Sequence, residues 1–335
     1  KPPPPDRAAD TPPASPQAPS TVRLVGAMPV VYLLPGLAAA ALLGWSHQVK
    51  VENPRAGKFV PGLAGVFLTA VLLFSSARTV ADGFVRWAQA QETRLEHYQS
   101  VLLDMSRYFK ANPAAALVIA DGFYEPIDRD SFRRDLGFDP AARWVQTGGQ
   151  AAGAVVLPAR EVGEDGRFYV PEFAPVNLAL LAAAGISAQP LYRSAAWPSF
   201  AVYDLPMASN VPRLAEPVFF EGGMVLEGYE ILTTEPQATL QLVTSWRVHG
   251  ALPADLVIFV HIVDGNGNVM AQHDGLDAAA AELRPGDHVI QLHTVTLPEL
   301  SGPVDVEVGL YRRGNGARLH REGTLEDTVT LTRIE

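Results

Sequence analysis

The chain of 335 residues carries a formal net charge of -10, 48% hydrophobic residues and no cysteine. The missing thiols exclude disulfides, thiolate catalysis and cysteine metal sites. The acidic balance leaves no electrostatic footprint for a phosphate backbone, so nucleic acid is not an expected partner.

Residues 1–21 are rich in Pro, Ala and Ser, bury too little apolar surface to offset their ordering entropy, and read as a disordered loop or linker. Two uncharged apolar runs follow, Leu24 to Trp45 and Phe59 to Ala77. Each is close to the 20 or so residues that a helix needs to cross a bilayer. Neither shows the polar stripe of a soluble core helix, and Pro29 and Pro35 are tolerated in membrane helices. A secretory signal would need a basic start and a shorter run, whereas a Pro-rich stretch comes first. Residues 22–79 are therefore predicted to form two transmembrane helices. Lys50, Arg55 and Lys58 against Glu52 mark the short loop between them as cytoplasmic, although Arg23, Arg78 and Arg86 pull weakly the other way. The expectation is a multi-pass protein of the cell membrane with its large C-terminal region extracytoplasmic. A start on Lys1 rather than Met suggests the tail of something longer.

Phe84, Ala88, Gln91, Leu95, Tyr98, Leu102, Met105 and Phe109 fall at alternating four- and three-residue steps. They predict a juxtamembrane helix over 80–111, stopped by Asn112-Pro113. From 112 to 210, short apolar strands (Ala116 to Ala120, Trp144 to Gln146, Ala154 to Leu157, Arg167 to Val170, Phe200 to Leu205) alternate with helical or loop segments. That texture predicts a small α/β extracytoplasmic domain. From 217 to 335 the helical period vanishes, and strands are separated by turns such as Asp264-Gly265-Asn266-Gly267 and Arg284-Pro285-Gly286-Asp287. An antiparallel β-sandwich of jelly-roll type is expected, with Val304-Asp305-Val306-Glu307-Val308 alternating between a buried and a wet face.

Candidate chemistry is sparse. Asp121 closes the first α/β strand, where ligands often bind, but Asp121-Gly122 is also an ordinary turn pair. His261, His273 and Asp274 could converge across a hairpin as metal ligands, yet no His-x-His pair supports them, so no metal or other cofactor is assigned. Phosphate loops and Gly-x-Ser-x-Gly elbows are absent. Tyr229, Trp246 and Tyr311 are aromatic candidates for stacking on sugars, with a core role as the alternative for each.

The stretches Phe219 to Tyr229, Thr244 to Arg247, Val257 to Asp264, Ala271 to Asp274 and Val308 to Tyr311 resemble the C-terminal sandwich of bacterial polytopic glycosyltransferases. The group is the one similar to dolichyl-phosphate-mannose protein mannosyltransferases, of the C type. Arg167 to Pro171 and Phe200 to Pro206 are similar to the extracytoplasmic segment after the last membrane helix of such enzymes. The resemblance implies the C-terminal part of an integral-membrane glycosyltransferase. Its implied partners are the bilayer, a polyprenyl-phosphate sugar donor, and a glycan or protein acceptor recognised with help from the sandwich. It also implies catalytic acids on an early extracytoplasmic loop, whereas Glu52, the sole acid between the two runs, falls on the cytoplasmic side. No catalytic residue is assigned, and whether this chain is itself an enzyme stays open. The alternative is a non-enzymatic, membrane-anchored surface scaffold with a carbohydrate-binding-like sandwich.

Overall fold

A computed structural model describes residues 21–52, 55, 58–87, 100–122, 127–146, 151–235, 239–297 and 302–334. The linker expected over 1–21 lies almost wholly outside the described residues. The chain divides into two units, residues 1–88 and 89–335.

In the first unit, α1 (Thr21–Glu52) is followed by α2 (Val60–Val80) and a π-helical turn, Ala81–Trp87. Among the described residues one helix, Gly62–Val80, is long and apolar enough to cross a membrane, not the two expected. Its 19 residues span about 28 Å, close to the hydrocarbon thickness of a bilayer. Phe67, Leu72 and Phe74 stand exposed around it. The first expected run, Leu24 to Trp45, lies inside α1, and its positions up to 35 fall outside the residues whose side chains are described. Arg78 and Arg86 both reach Asp82, at 3.1 and 2.9 Å, at the start of the π turn.

The expected juxtamembrane helix is described in two pieces, the π turn and α3 (Ser100–Ala111), and 88–99 lie outside the described residues. α3 buries Val101, Leu102, Met105 and Phe109 on one face and ends just before Pro113.

The rest of the second unit is mostly sheet. Five strands, β1 (Ala116–Asp121), β2 (Arg143–Gln146), β4 (Gly166–Pro171), β5 (Tyr192–Arg193) and β6 (Phe200–Asp204), form a mixed sheet in the order β2-β1-β4-β6-β5. β1 pairs in parallel with both β2 and β4. Between β1 and β2 runs α4 (Arg129–Leu136), capped by the Asp128 carboxylate, which accepts from Ser131 N–H at 3.0 Å, and ended by Gly137 at φ 82°. Alternate residues of this sheet face opposite ways. Leu117, Ile119, Trp144 and Tyr169 pack with α3 and α4, while Val118, Ala120, Val145 and Phe168 join the core of the sandwich. A short helix, α5 (Leu178–Ala183), also packs into that second core.

The sandwich consists of two antiparallel sheets. One runs β3 (Ala154–Leu157), β12 (His288–Thr296), β9 (Thr239–Val248), β8 (Met224–Glu235) and β7 (Arg213–Phe220). The other runs β11 (Val269–Gly275), β10 (Leu256–Asp264), β13 (Val304–Arg312) and β14 (Arg318–Leu319), and β15 (Thr328–Ile334) also pairs with β13. Val306, Val308 and Leu310 point inward opposite Ile262, Val260 and Ile258, so the alternation along β13 has the expected sense.

Ala154–Leu157, expected among the α/β strands, instead pairs with His288 to Gln291 and forms the edge of a sandwich sheet. A four-residue run that is apolar throughout carries no marker of which sheet it will join. Asp287, in the turn before β12, is fully buried and tightens this junction. Its carboxylate accepts from both Nε and Nη2 of Arg143 on β2, the latter at 3.1 Å. It also accepts from the N–H groups of Ala159 at 3.0 Å and Arg284 at 2.9 Å.

A fragment of residues 217–335 lacks β3, part of β7 and Arg143. It should remain without cooperative unfolding by circular dichroism, whereas residues 89–335 should melt in a sharp transition.

Candidate functional site

The outer face of the β11-β10-β13 sheet gathers three of the residues singled out from the sequence. Register places Phe259 beside Asp274 and Gly309, and His261 beside Gln272 and Glu307. Asp274 Oδ2 accepts from Tyr311 Oη at 3.3 Å and from Gln272 Nε2 at 3.4 Å, and Oδ1 lies 3.5 Å from His261 Nε2. Gly309 is glycine for a steric reason: a Cβ there would meet the Phe259 ring at 2.4 Å. The ring is fully buried there, with the Arg318 guanidinium 4.8 Å above its centre and the His261 ring 4.4 Å away.

Burial holds the His261 imidazole below its ordinary range, with Arg318 acting in the same direction and Asp274 opposing. Burial, then the neighbouring Asp274, raises the Tyr311 phenol. Near neutral pH the face thus offers a neutral imidazole, a phenol, an amide and a carboxylate, arranged around an aromatic ring. These are directional hydrogen-bonding groups suited to hydroxyls, and the Phe259 ring beneath them is covered.

The three residues weighed as metal ligands do not come together on one face. Consecutive strand residues point to opposite faces, so His273 faces the interior while Asp274 faces outward. Among the described residues no group of three or more His, Asp or Glu is placed to hold a metal ion. His273 Nδ1 instead meets His293 Nδ1 at 3.1 Å inside the sandwich. His293 Nε2 is 2.9 Å from Thr244 Oγ1, which also accepts from Trp246 Nε1 at 2.9 Å. Two Nδ1 atoms facing each other can share one proton but cannot both carry one. Burial accordingly keeps both imidazoles below their ordinary pKa, His293 well below.

Trp246 is fully buried and belongs to the core rather than to a ligand platform. Tyr229 donates its hydroxyl to the Leu331 carbonyl, tying β8 to β15 across the sandwich. Asp121 is also fully buried, and its carboxylate accepts from Ile127 N–H at 2.6 Å and from Arg129 Nη2 at 3.4 Å. Burial raises its pKa against these contacts. Its work is to fix Arg129, which lies over the Trp144 ring at 4.9 Å.

Sequence reading missed Phe259, Gln272 and Arg318 around the outer face, and His293 and Asp277 inside. The period of two along β11 separates His273 from Asp274, and the pairing of His273 with the buried Val260 shows which of the two faces inward. Asp277 packs its carboxylate against Gly153, where a Cβ would sit 1.9 Å from Oδ2. Burial pushes its pKa up to about 6, with Arg313 pulling the other way.

Taken together, these features define a sheet-rich protein bearing a membrane-length helix, whose mixed sheet and β-sandwich share one core. No family model and no curated protein matches the chain.

Because the folded pKa of Asp277 is raised, its contribution to stability is present at low pH and is lost as pH rises through about 6. Asp277→Asn should therefore stabilise the protein by up to about 3 kcal/mol at pH 7.5 and by much less at pH 4.5, as read from denaturant melts. His273 and His293 act with the opposite sign, since stability held above their ordinary 6.5 is lost as pH falls below it. His293→Leu, which removes the shared proton site, should flatten the acid limb of the stability profile.

Proposed function

We propose that this chain is part of an integral-membrane glycosyltransferase system that uses a polyprenyl-phosphate-linked sugar donor. In this reading it spans the membrane more than once, and its sandwich lies on the extracytoplasmic side, where it recognises the acceptor or a glycan. The observation that carries the reading is the outer-face cluster, in which the Asp274 carboxylate joins Tyr311, Gln272 and His261. Planar polar groups on a sheet face are what sugar hydroxyls pair with, while the Phe259 ring beneath them is fully buried and offers no stacking surface.

The cluster favours binding over chemistry. Asp274 is committed to two donors, and His261 stays neutral. Glu307, the nearest further carboxyl in register, has its pKa raised by burial and, more weakly, by Asp305 and Asp327, while Arg318 acts against this. The scaffold alternative shares this binding face and differs in lacking any transfer activity in the complete system.

Titration of the full chain in detergent with a panel of neutral oligosaccharides tests the proposal by calorimetry. Binding in the micromolar to millimolar range is expected, and Asp274→Ala or Tyr311→Ala should each weaken it about tenfold, equivalent to about 1.4 kcal/mol. Absence of binding at millimolar sugar, or binding that ignores both substitutions, would overturn it.

A further inference from the structure

β11 is the edge strand of its sheet, with β10 as its ladder partner. Two successive side chains on it face opposite ways: His273 enters the sandwich, and Asp274 belongs to the outer-face cluster. His273 Nδ1 stands 3.1 Å from His293 Nδ1, with the two ring planes at 81°. His293 is fixed in place. It is fully buried on β12, between β3 and β9, and its Nε2 is engaged by Thr244 at 2.9 Å. His273 is only half-buried, on a strand held from one side.

The surroundings offer a second proton no compensation. β9 and β12 bring the neutral Thr244 and Gln291 to the interior, and β10 brings Val260 and Ile262. Asp274 points to the other face. The acid nearest on the inner side is Asp277, whose Oδ1 and the Cε1 of His273 would lie 3.5 and 3.9 Å from a Cβ on Gly275. Its carboxyl is pushed up to about 6 by burial, so acid removes its charge as it brings protons to the imidazoles. Two imidazoliums with their Nδ1–H groups nose to nose have no stable arrangement there.

We propose that β11 is an acid-released strand that regulates the outer face: in mild acid His273 leaves His293 for solvent, and the strand carries Asp274 away from Tyr311 and His261. The strand release stands on the buried histidine pair alone, and its effect on a ligand rests on the sugar-binding reading. The period of two couples the events, because a rotation of β11 that frees His273 also removes Asp274 from its face. Little opposes it. The β10-β11 ladder already shifts register between Ile262 and Val263, and Asp274 holds Tyr311 and Gln272 by bonds of 3.3 and 3.4 Å. His261, which faces Asp274 at 3.5 Å, acts with the opposite sign, since a proton there strengthens that contact.

Burial holds the His273 imidazole below its ordinary range, so the closed strand is stable above 6.5 and loses that stability as pH falls below it. For one histidine freed to its ordinary 6.5, release is favoured about thirtyfold more at pH 5 than at pH 7.5. Hydrogen–deuterium exchange on the full chain in detergent, corrected for intrinsic rates, reads this directly. Peptides covering β11 should lose protection by up to that factor between pH 7.5 and 5, while those from β9 and β13 keep theirs. His273→Gln, which has no proton to gain, should abolish the loss. His293→Gln, which gives a charged His273 an acceptor in place, should shrink it. Unchanged protection of β11, a loss shared equally by β13, or the same loss in His273→Gln would overturn the inference. Calorimetry with neutral oligosaccharides at the same pH values tests the second half. Affinity should fall in acid, and not in His273→Gln. Affinity that ignores pH or rises in acid while β11 loosens would overturn the regulatory half alone. No sugar binding at pH 7.5 would overturn the sugar-binding reading and with it the regulatory half, leaving the release of β11 to be decided by exchange.

Discussion

The second unit depends on a buried carboxylate. Asp287 has no exposed surface, and its two oxygens take hydrogen bonds from an arginine on the mixed sheet, from the N–H that follows β3 and from its own turn. A charge taken out of water costs several kcal/mol, and a bidentate arginine with two further N–H donors is the kind of environment that repays it. The geometry is also exclusive: β2, the end of β3 and the turn into β12 must all be in place before the carboxylate is satisfied. The mixed sheet and the sandwich therefore fold around the same constraint.

From that junction the functional faces follow. β3 docks on β12 and closes one sandwich sheet, and the segment after β11 runs alongside β2, with Gln146 N–H bonded to the Asp277 carbonyl at 2.8 Å and Ala279 N–H to the Trp144 carbonyl at 2.9 Å. β10 and β13 lead from the far end of this second seam to the outer-face cluster. The polar chain from Trp246 through Thr244 to His293 and His273 spans the interior and is satisfied along its length. Gln291 beside it leaves Nε2 buried without a partner while its Oε1 accepts from Asp277 N–H. An interior with this much polarity specifies one packing of the two sheets, because sliding them would strand several groups at once.

Much of this architecture was legible in the residues. The uncharged run from Phe59 to Ala77 announces a helix of membrane length, the period of two along β13 reports its buried face, and the Gly- and Asn-rich turns divide the strands. The partner of Ala154–Leu157 was invisible because strand pairing is settled across more than a hundred residues of chain. Asp287 was hidden for a related reason: Arg284-Pro285-Gly286-Asp287 has the composition of a turn, and nothing local marks its last residue as the mate of Arg143, 144 positions away. Of the candidate site, Tyr311, His261 and Asp274 were each singled out, but their grouping needed the register of three strands.

The central claim is that the mixed sheet and the sandwich form one cooperative structure around Asp287. Its most direct test is denaturant unfolding of residues 89–335, followed separately by the fluorescence of Trp144 in the mixed sheet and Trp246 in the sandwich, each in a variant lacking the other tryptophans. The account predicts a single midpoint for both probes, and a shared drop of about 3–5 kcal/mol on Asp287→Ala. Two separate midpoints, or a loss at Asp287→Ala felt by one probe alone, would contradict it.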